Sequence, residues 1–365
     1  MNTAAKLSKL AVTTCVIPML AVFISTKSFA GLATPVAVST ITAPANTTSL
    51  IGVPYARPVE AFGTIASVNN TGSNAILTVA VDTAGGSPAM PASSALGNTD
   101  KNNDSFYVCE ILDGDAIGLI LDVVEGTATT LTIKGTIPTS AGISPASLRS
   151  TTKWALRKAH TLSSLCGNPS VTNPFGSGSS AKATTVLGQV QILDTTTGAV
   201  STYYINKTGT AYNWRTGSGT ENYNHAPIGL GKGFLVVNLR NAPLTFTVSG
   251  DYRTARSRFI AQGGKKYLLA NPGIKDADFV TSTIAEQSPT RGTAEPRSGD
   301  DKYGIWNVAS KAFAYFQIGG TADNSGASAY NSSGGRVNPT IGKFTSILAL
   351  PGGSGNVILT IAPAP

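Results

Sequence analysis

Two histidines, His160 and His225, could activate a serine, threonine or cysteine as a nucleophile. His160 follows the strand-like segment Trp154–Lys158, and His225 lies in a polar, loop-like segment. Neither accompanies a Gly-x-Ser-x-Gly pattern, which positions the nucleophile in many serine hydrolases. We therefore interpret both as packing or surface histidines and predict no catalytic residue and no enzyme activity. A secreted hydrolase whose site these patterns miss is the enzymatic alternative.

Acidic residues are densest in one stretch of the chain. Its carboxylates are those of Glu110, Asp113, Asp115, Asp122 and Glu125. Two of them could serve in glycoside hydrolysis, but Asp113 and Asp115 flank Gly114 as in a tight turn, which accounts for both. Asp113 with Asp115, or Asp323 with Asn324, could offer oxygens to calcium, although neither pair completes a loop motif. Because the chain also lacks CxxC and HxxxH spacing, we predict no metal site and no cofactor.

Aromatic residues are concentrated in one region of a chain in which they make up only 7%. This aromatic cluster consists of Tyr203, Tyr204, Tyr212, Trp214 and Tyr223. An exposed tyrosine or tryptophan can stack on a sugar ring while its polar tip stays in water. The cluster is therefore our candidate ligand-binding site, centred on Tyr212 and Trp214 if these share an exposed face. The alternative is ordinary packing between aromatic side chains of neighbouring strands.

The first 30 residues have the features of a secretory leader. Lys6 and Lys9 precede the uncharged apolar stretch 10–24, and Ser28-Phe29-Ala30 supplies small residues beyond it. This order is typical of a signal peptide, and the apolar stretch is shorter than the ~20 residues of a membrane-spanning helix. We predict cleavage after Ala30, a secreted or cell-surface location, and no transmembrane segment in the mature chain. A retained N-terminal anchor is the alternative.

Charge is sparse in this chain. Only 13% of the residues are charged and 41% are hydrophobic, and the formal charge of +8 includes three lysines in the leader. The remaining basic residues are scattered rather than clustered as in nucleic-acid-binding proteins, so we predict no nucleic-acid partner. A surface with little charge suits permanent packing against neighbours. The predicted partners are therefore further copies of the chain, as a homo-oligomer or filament, or surface glycans.

After the leader the chain retains two cysteines, Cys109 and Cys166. An even number of cysteines in an oxidising compartment favours a disulfide, which would stabilise the fold by roughly 4 kcal/mol through loop closure. Two separate buried thiols are the alternative.

Strand signals extend along almost the whole mature chain. Short runs of β-branched and aromatic residues are separated by Gly, Asn, Asp and Pro. In Leu244–Val248, apolar residues alternate with threonine as in a half-buried strand, and no long segment shows a helical apolar period. We therefore predict an all-β fold of tandem β-sandwich or barrel-like domains. The uncharged end segments Val36–Thr42 and Val357–Ile361 either complete their own sheets or add to an open sheet edge of a neighbour.

An internal repeat sets the predicted domain layout. Its paired landmarks are Leu165–Pro169 with Leu269–Pro272, Val190–Leu193 with Gly304–Val308, Thr202–Ile205 with Ala314–Ile318, Gly231–Phe234 with Gly342–Phe344, and Leu244–Val248 with Val357–Ile361. The spacing corresponds to one β domain, and chance similarity between Thr- and Gly-rich strands is the alternative. We predict a leader at 1–30, a first β domain at 31–158, and two modules at 159–256 and 257–365 that are related by duplication.

Several segments resemble one paralogous family of exported, β-rich proteins. The opening Thr34–Asn46 and Val53–Pro58 are similar to that family's mature start, and Phe62–Val68 is similar to its first strand. Thr202-Tyr203-Tyr204 followed by Trp214-Arg215 resembles its tyrosine-rich strand and Trp-Arg pair. The family is known mainly from Verrucomicrobia and is uncharacterised. The resemblance implies export and β structure but no activity.

These observations favour a non-catalytic structural protein of the cell surface or extracellular space that self-associates. An adhesin or carbohydrate-binding protein that uses the aromatic cluster is the second hypothesis.

Overall fold

A computed structural model describes residues 36–97, 99–139, 143–148, 151–176, 186–217, 221–253, 255–279, 301–319, 328–352 and 356–362. β-strands dominate these residues, which confirms the predicted all-β class. Their helices are short: α1 spans Ser93–Leu96, a 3-10 turn spans Pro145–Ser147, and α2 spans Leu162–Cys166. None of these helices has the length and apolar character required to cross a bilayer. The predicted leader and the Asp323–Asn324 pair lie outside the described residues.

The first three strands pair with strands that come about 200 residues later in the chain. They are β1 (Val36–Ala43), β2 (Thr47–Gly52) and β3 (Tyr55–Ala56). The following hundred residues, by contrast, form a separate six-stranded barrel. Its strands are β4 (Val59–Thr71), β5 (Asn74–Val81), β6 (Tyr107–Ile111), β7 (Leu119–Gly126), β8 (Thr130–Lys134) and β9 (Lys153–Lys158).

The barrel closes because β7 pairs with both β6 and β8, which gives the order β7-β6-β9-β4-β5-β8 around the wall. Every second side chain points inward and fills the lumen, as the two-residue period of a strand requires. Leu77, Leu121 and Trp154 are among these core residues. The interior is therefore a packed core and not a channel.

The first module combines the opening strands with five later ones. The later strands are β10 (Gly188–Leu193), β11 (Val200–Thr208), β12 (Ala211–Thr216), β13 (Gly233–Asn238) and β14 (Leu244–Tyr252). One sheet has the order β12-β11-β10-β13-β2, and the other has the order β1-β14-β3. In β14, Leu244, Phe246 and Val248 are buried and the threonines between them are exposed, as the alternation predicts.

The second module contains the remaining strands. They are β15 (Ser257–Gln262), β16 (Tyr267–Ala270), β17 (Ala277–Asp278), β18 (Lys302–Asn307), β19 (Ala312–Gly319), β20 (Ser328–Asn331), β21 (Arg336–Val337), β22 (Thr340–Ile341), β23 (Ser346–Leu350) and β24 (Asn356–Ile361). Its main sheet has the order β16-β23-β18-β19-β20-β21. β24 pairs with β15, which in turn pairs with β7 of the barrel.

The two modules share one strand order, since β12-β11-β10-β13-β2 corresponds to β20-β19-β18-β23-β16. The β1–β14 pair likewise corresponds to the β15–β24 pair. Three of the five pairs of sequence landmarks fall on equivalent strands, and a fourth, Gly231–Phe234 with Gly342–Phe344, leads into the equivalent strands β13 and β23. The remaining pair does not match, because Leu165–Cys166 belongs to α2 whereas Leu269–Ala270 belongs to β16. The barrel is inserted within the first module, so strand pairing crosses the predicted domain boundaries.

The two modules contact each other through equivalent strands. Leu50 and Leu235 are opposite each other on β2 and β13, and Leu268 and Leu348 are opposite each other on β16 and β23. These four leucines form one buried cluster. Corresponding surfaces of the two modules therefore face each other inside a single chain.

A buried ionic network joins the barrel to both modules. Glu110 of the barrel accepts hydrogen bonds from Arg157 Nε at 3.0 Å and from Arg253 Nε at 2.7 Å. Arg157 also donates to Asp251 of the first module at 2.8 Å, and Arg253 donates to Ser257 of the second at 2.7 Å. Two guanidinium groups thus face two carboxylates, and buried charges need such pairing.

The predicted disulfide is wrong. Cys109 and Cys166 are both free thiols. Cys109 lies on β6 in the barrel core, whereas Cys166 ends α2 in the core of the first module. Burial raises the pKa of both thiols well above the usual range, because an apolar core disfavours a thiolate. Each cysteine therefore acts as a small apolar core residue.

Candidate functional site

Two members of the predicted aromatic cluster are fully buried. The indole of Trp214 is 0% exposed, donates from Nε1 to Gly167 O at 3.2 Å, and packs edge-on against Phe175 at 5.4 Å between ring centres. Tyr204 is also buried, and its hydroxyl donates to Gly217 O. Because a sugar can stack only on an accessible face, neither ring offers a platform in this conformation.

The other three tyrosines are distributed over two places. Tyr203 and Tyr223 pack edge-on with ring centres 5.6 Å apart, and the Lys101 ammonium lies 5.1 Å from the Tyr223 ring. Tyr223 also donates from its hydroxyl to Glu221, and this hydrogen bond raises the tyrosine pKa to about 12. Tyr212 instead lies opposite Lys207 near the β11–β12 turn. Of the cluster, the structure therefore brings together only Tyr203, which is buried, and Tyr223, which is partly exposed.

His160 holds the segment before α2 against β3. Its Nε2 lies 3.0 Å from Tyr55 O and its Nδ1 lies 3.4 Å from Ser164 Oγ. The carbonyl partner requires a proton on Nε2, so Nδ1 faces the serine hydroxyl as an acceptor. Burial lowers the pKa of His160 to about 4, so the ring is neutral near neutral pH. Ser164 also caps α2, since Thr161 N donates to its hydroxyl at 2.7 Å.

The acidic stretch is divided among separate partners. Glu110 belongs to the ionic network, Asp113 accepts from Lys153 N at 2.7 Å, and Asp122 pairs with Lys232 at 2.5 Å. Within the described ranges no three His, Cys, Asp or Glu side chains converge as a metal site would require. These carboxylates fix the strands and turns that carry them.

The outer edge of β1 is an open strand edge among the described residues. β1 pairs with β14 on one side, from Val36 opposite Asp251 to Ala43 opposite Leu244, and no described strand pairs with its other side. Val36 is 71% exposed and Val38 is 66% exposed. No other described strand carries two large apolar side chains this exposed. The eight residues of β1 also include no charge, although charged side chains commonly protect such edges.

The corresponding strand of the second module, β15, has its equivalent edge covered. β15 pairs with β24 on one side, as β1 does with β14, and pairs in parallel with β7 on the other. Phe259 lies opposite Ile120 in that parallel pairing. The barrel strand β7 therefore covers the outer edge of β15, whereas no described strand covers the outer edge of β1.

A groove of about 510 Å³ runs beside the open edge. Thr40–Thr42 of β1 form one wall, and Ile305 and Trp306 of the second module contribute to the other. Trp306 is fixed there because its Nε1 donates to Thr48 O at 2.6 Å. The open edge and this groove together form the candidate functional site, which we call the β1 surface.

The sequence predicts that both end segments complete their own sheets or add to a neighbour's sheet edge. In the structure, β1 pairs with β14 of the first module and β24 pairs with β15 of the second. Comparison with known proteins adds no function: no family model matches the chain, and no curated protein or solved structure is significantly similar to it. The resemblance to the exported family therefore stays a prediction.

Proposed function

We propose that this chain is an exported, non-catalytic structural protein that associates with a second copy through the β1 surface. The observation that carries the proposal is the contrast between the two duplicated modules. The edge of β15 is covered by β7, whereas the equivalent edge of β1 has no strand beside it in the part of the chain described. An uncovered strand edge presents a row of backbone donors and acceptors to another strand.

A second copy fits this edge because β1 carries no charge, so two β1 strands approach without electrostatic repulsion. Antiparallel pairing of β1 with its equivalent would produce a closed, two-fold dimer. Such pairing would cover Val36 and Val38 of both copies. Burial of these four side chains would contribute at most roughly 4–8 kcal/mol to association. Since association costs a similar amount of free energy, we expect a dimer of modest affinity.

Sedimentation velocity of the chain from Gly31 onward, between about 1 μM and about 1 mM, tests this proposal. We expect a monomer–dimer equilibrium that Val38→Lys abolishes, because the substitution places two ammonium groups side by side in the paired edge. Val171→Lys is the matched control, since Val171 is 73% exposed in a loop after α2. A monomer at every concentration, or equal association of the two variants, would refute the proposal.

A further inference from the structure

A crevice of about 440 Å³ lies where the barrel meets both modules. Asp122 on β7 and Lys134 on β8 line it from the barrel, and Lys232 and Thr196 line it from the first module. Tyr267 on β16 lines it from the second module. The crevice therefore exists only because the three parts of the chain pack together, and it is separate from the β1 surface.

Positive charge is concentrated around this crevice. Lys134 Nζ donates to Thr196 Oγ1 at 3.0 Å, Lys265 Nζ donates to Thr196 O at 2.9 Å, and Lys232 Nζ lies 2.5 Å from Asp122 Oδ2. Asp194, the second carboxylate nearby, caps its own turn by accepting from Thr196 N at 2.8 Å. Three ammonium groups and two carboxylates thus lie around the crevice, and the Asp194 carboxylate already accepts a backbone hydrogen bond.

The ion pair in the crevice is accessible to solvent. The side chains of Lys232 and Asp122 are 29% and 38% exposed, so both can be reached by a ligand. Burial opposes ionisation of Asp122, but the adjacent Lys232 ammonium outweighs it and holds the pKa of the carboxyl below its usual range. Asp122 is therefore ionised at neutral pH, and an anion that enters must compete with it for Lys232.

The other lining groups suit a hydroxyl-rich ligand. The walls combine Tyr267 and Phe259 with the side-chain amides of Asn74, Gln262 and Asn356. Binding sites for polar small molecules typically unite apolar walls with a few polar groups that fix orientation. A tyrosine also offers an apolar ring face together with a polar tip, which matches the mixed surface of a sugar.

A second crevice of about 360 Å³ shares Asp122, Lys134 and Lys232 with the first. It extends along the barrel to Lys101 and to Tyr203, one of the aromatic cluster residues. A ligand longer than a single sugar unit would therefore contact both modules across the barrel.

We propose that these joined crevices bind an anionic saccharide chain, with its acidic group against Lys134 and Lys232 and a sugar ring beside Tyr267. Isothermal titration calorimetry with oligogalacturonate, sulfated dextran and neutral dextran tests the proposal and separates carboxylate from sulfate recognition. We expect at least one anionic saccharide to bind about tenfold more tightly than neutral dextran. Added salt should weaken that binding, because these ammonium groups are partly exposed to water.

Two substitutions make the test specific to the crevice. Lys134→Gln should weaken anionic saccharide binding about tenfold, whereas Lys302→Gln, an exposed lysine on β18, should not. Asp122→Asn should strengthen binding, because it removes the carboxylate that competes for Lys232. The proposal is overturned if neither anionic saccharide binds, if neutral dextran binds equally well, or if the two lysine variants behave alike. Val38→Lys, which tests the dimer, should leave saccharide binding unchanged.

Discussion

Replacement of Glu110 by glutamine should destabilise the whole molecule, because this carboxylate is the shared acceptor of two buried arginines. Its oxygens lie 3.0 Å from Arg157 Nε and 2.7 Å from Arg253 Nε, and all three side chains are buried. A hydrogen bond to a charged group contributes roughly 1.5–3 kcal/mol, so two give about 3–6 kcal/mol. This agrees with the roughly 3–5 kcal/mol lost when one partner of a buried ion pair is removed.

Urea unfolding at neutral pH measures this loss as a lower midpoint with an unchanged slope. Since a folded domain is stable by only about 5–15 kcal/mol, the variant should unfold far below the midpoint of the parent protein. Glu125→Gln is the matched control. Glu125 is exposed on the barrel rim, where its side chain accepts from Thr132 Oγ1 at 3.1 Å, so its replacement should change stability by less than about 0.5 kcal/mol.

The effect of Glu110 should also depend on pH. Burial opposes ionisation, but Arg253 and Arg157 outweigh it and lower the pKa of Glu110 below its usual value of 4.5. A lowered pKa in the folded state contributes stability that is fully present above the unfolded value and lost as the pH falls through the folded value. The difference in unfolding free energy between parent and Glu110→Gln should therefore narrow below pH 4.5. The reasoning would be refuted if Glu110→Gln lowered the unfolding free energy at neutral pH by less than about 1 kcal/mol and by no more than Glu125→Gln does.

Three further predictions follow from packing. Gly52→Ala should destabilise the contact between the modules, because a β-carbon there would lie 2.2 Å from Thr345 O and 2.8 Å from the Ala270 β-carbon; thermal unfolding should show a lower midpoint. Trp214→Ala should lower the unfolding free energy measured with urea by about 3–5 kcal/mol. Replacement of a surface aromatic residue by alanine should have only a mild effect. Cys109 and Cys166 should react with a colorimetric thiol reagent only after denaturation, and immediate reaction of the native protein would contradict their burial.

The strands were predictable because alternation is a local signal. Leu244–Val248 shows its buried and exposed faces in five residues, and the structure places them as expected. The partners of the strands were not predictable in the same way, since alternation says which face is buried but not against what. β1 pairs with β14 about 200 residues later, and the entire barrel lies between them in the chain. Local patterns therefore placed β1 in the same predicted domain, 31–158, as the barrel strands that follow it.

The same limit applies to individual side chains. Trp214 lies opposite Ile205 on neighbouring strands, and both belong to the buried core, but a run of aromatic residues does not reveal which face of its hairpin is covered. Likewise, two cysteines in one chain indicate nothing about their separation once an inserted barrel places them in different cores. The crevice around Asp122 and Lys232 was not predictable for a related reason, because its lining residues come from three parts of the chain that are far apart in sequence.

The shared strand order of the two modules also bears on assembly. If the first strand of each module were open, each chain would offer two equivalent edges, and pairing could continue from copy to copy into a filament. The barrel strand β7 covers β15, so among the residues described only β1 is a first strand with an open outer edge. Pairing through that edge alone ends at two copies. Electron microscopy of the chain from Gly31 onward should therefore show dimers, and filaments would indicate a second contact surface outside β1.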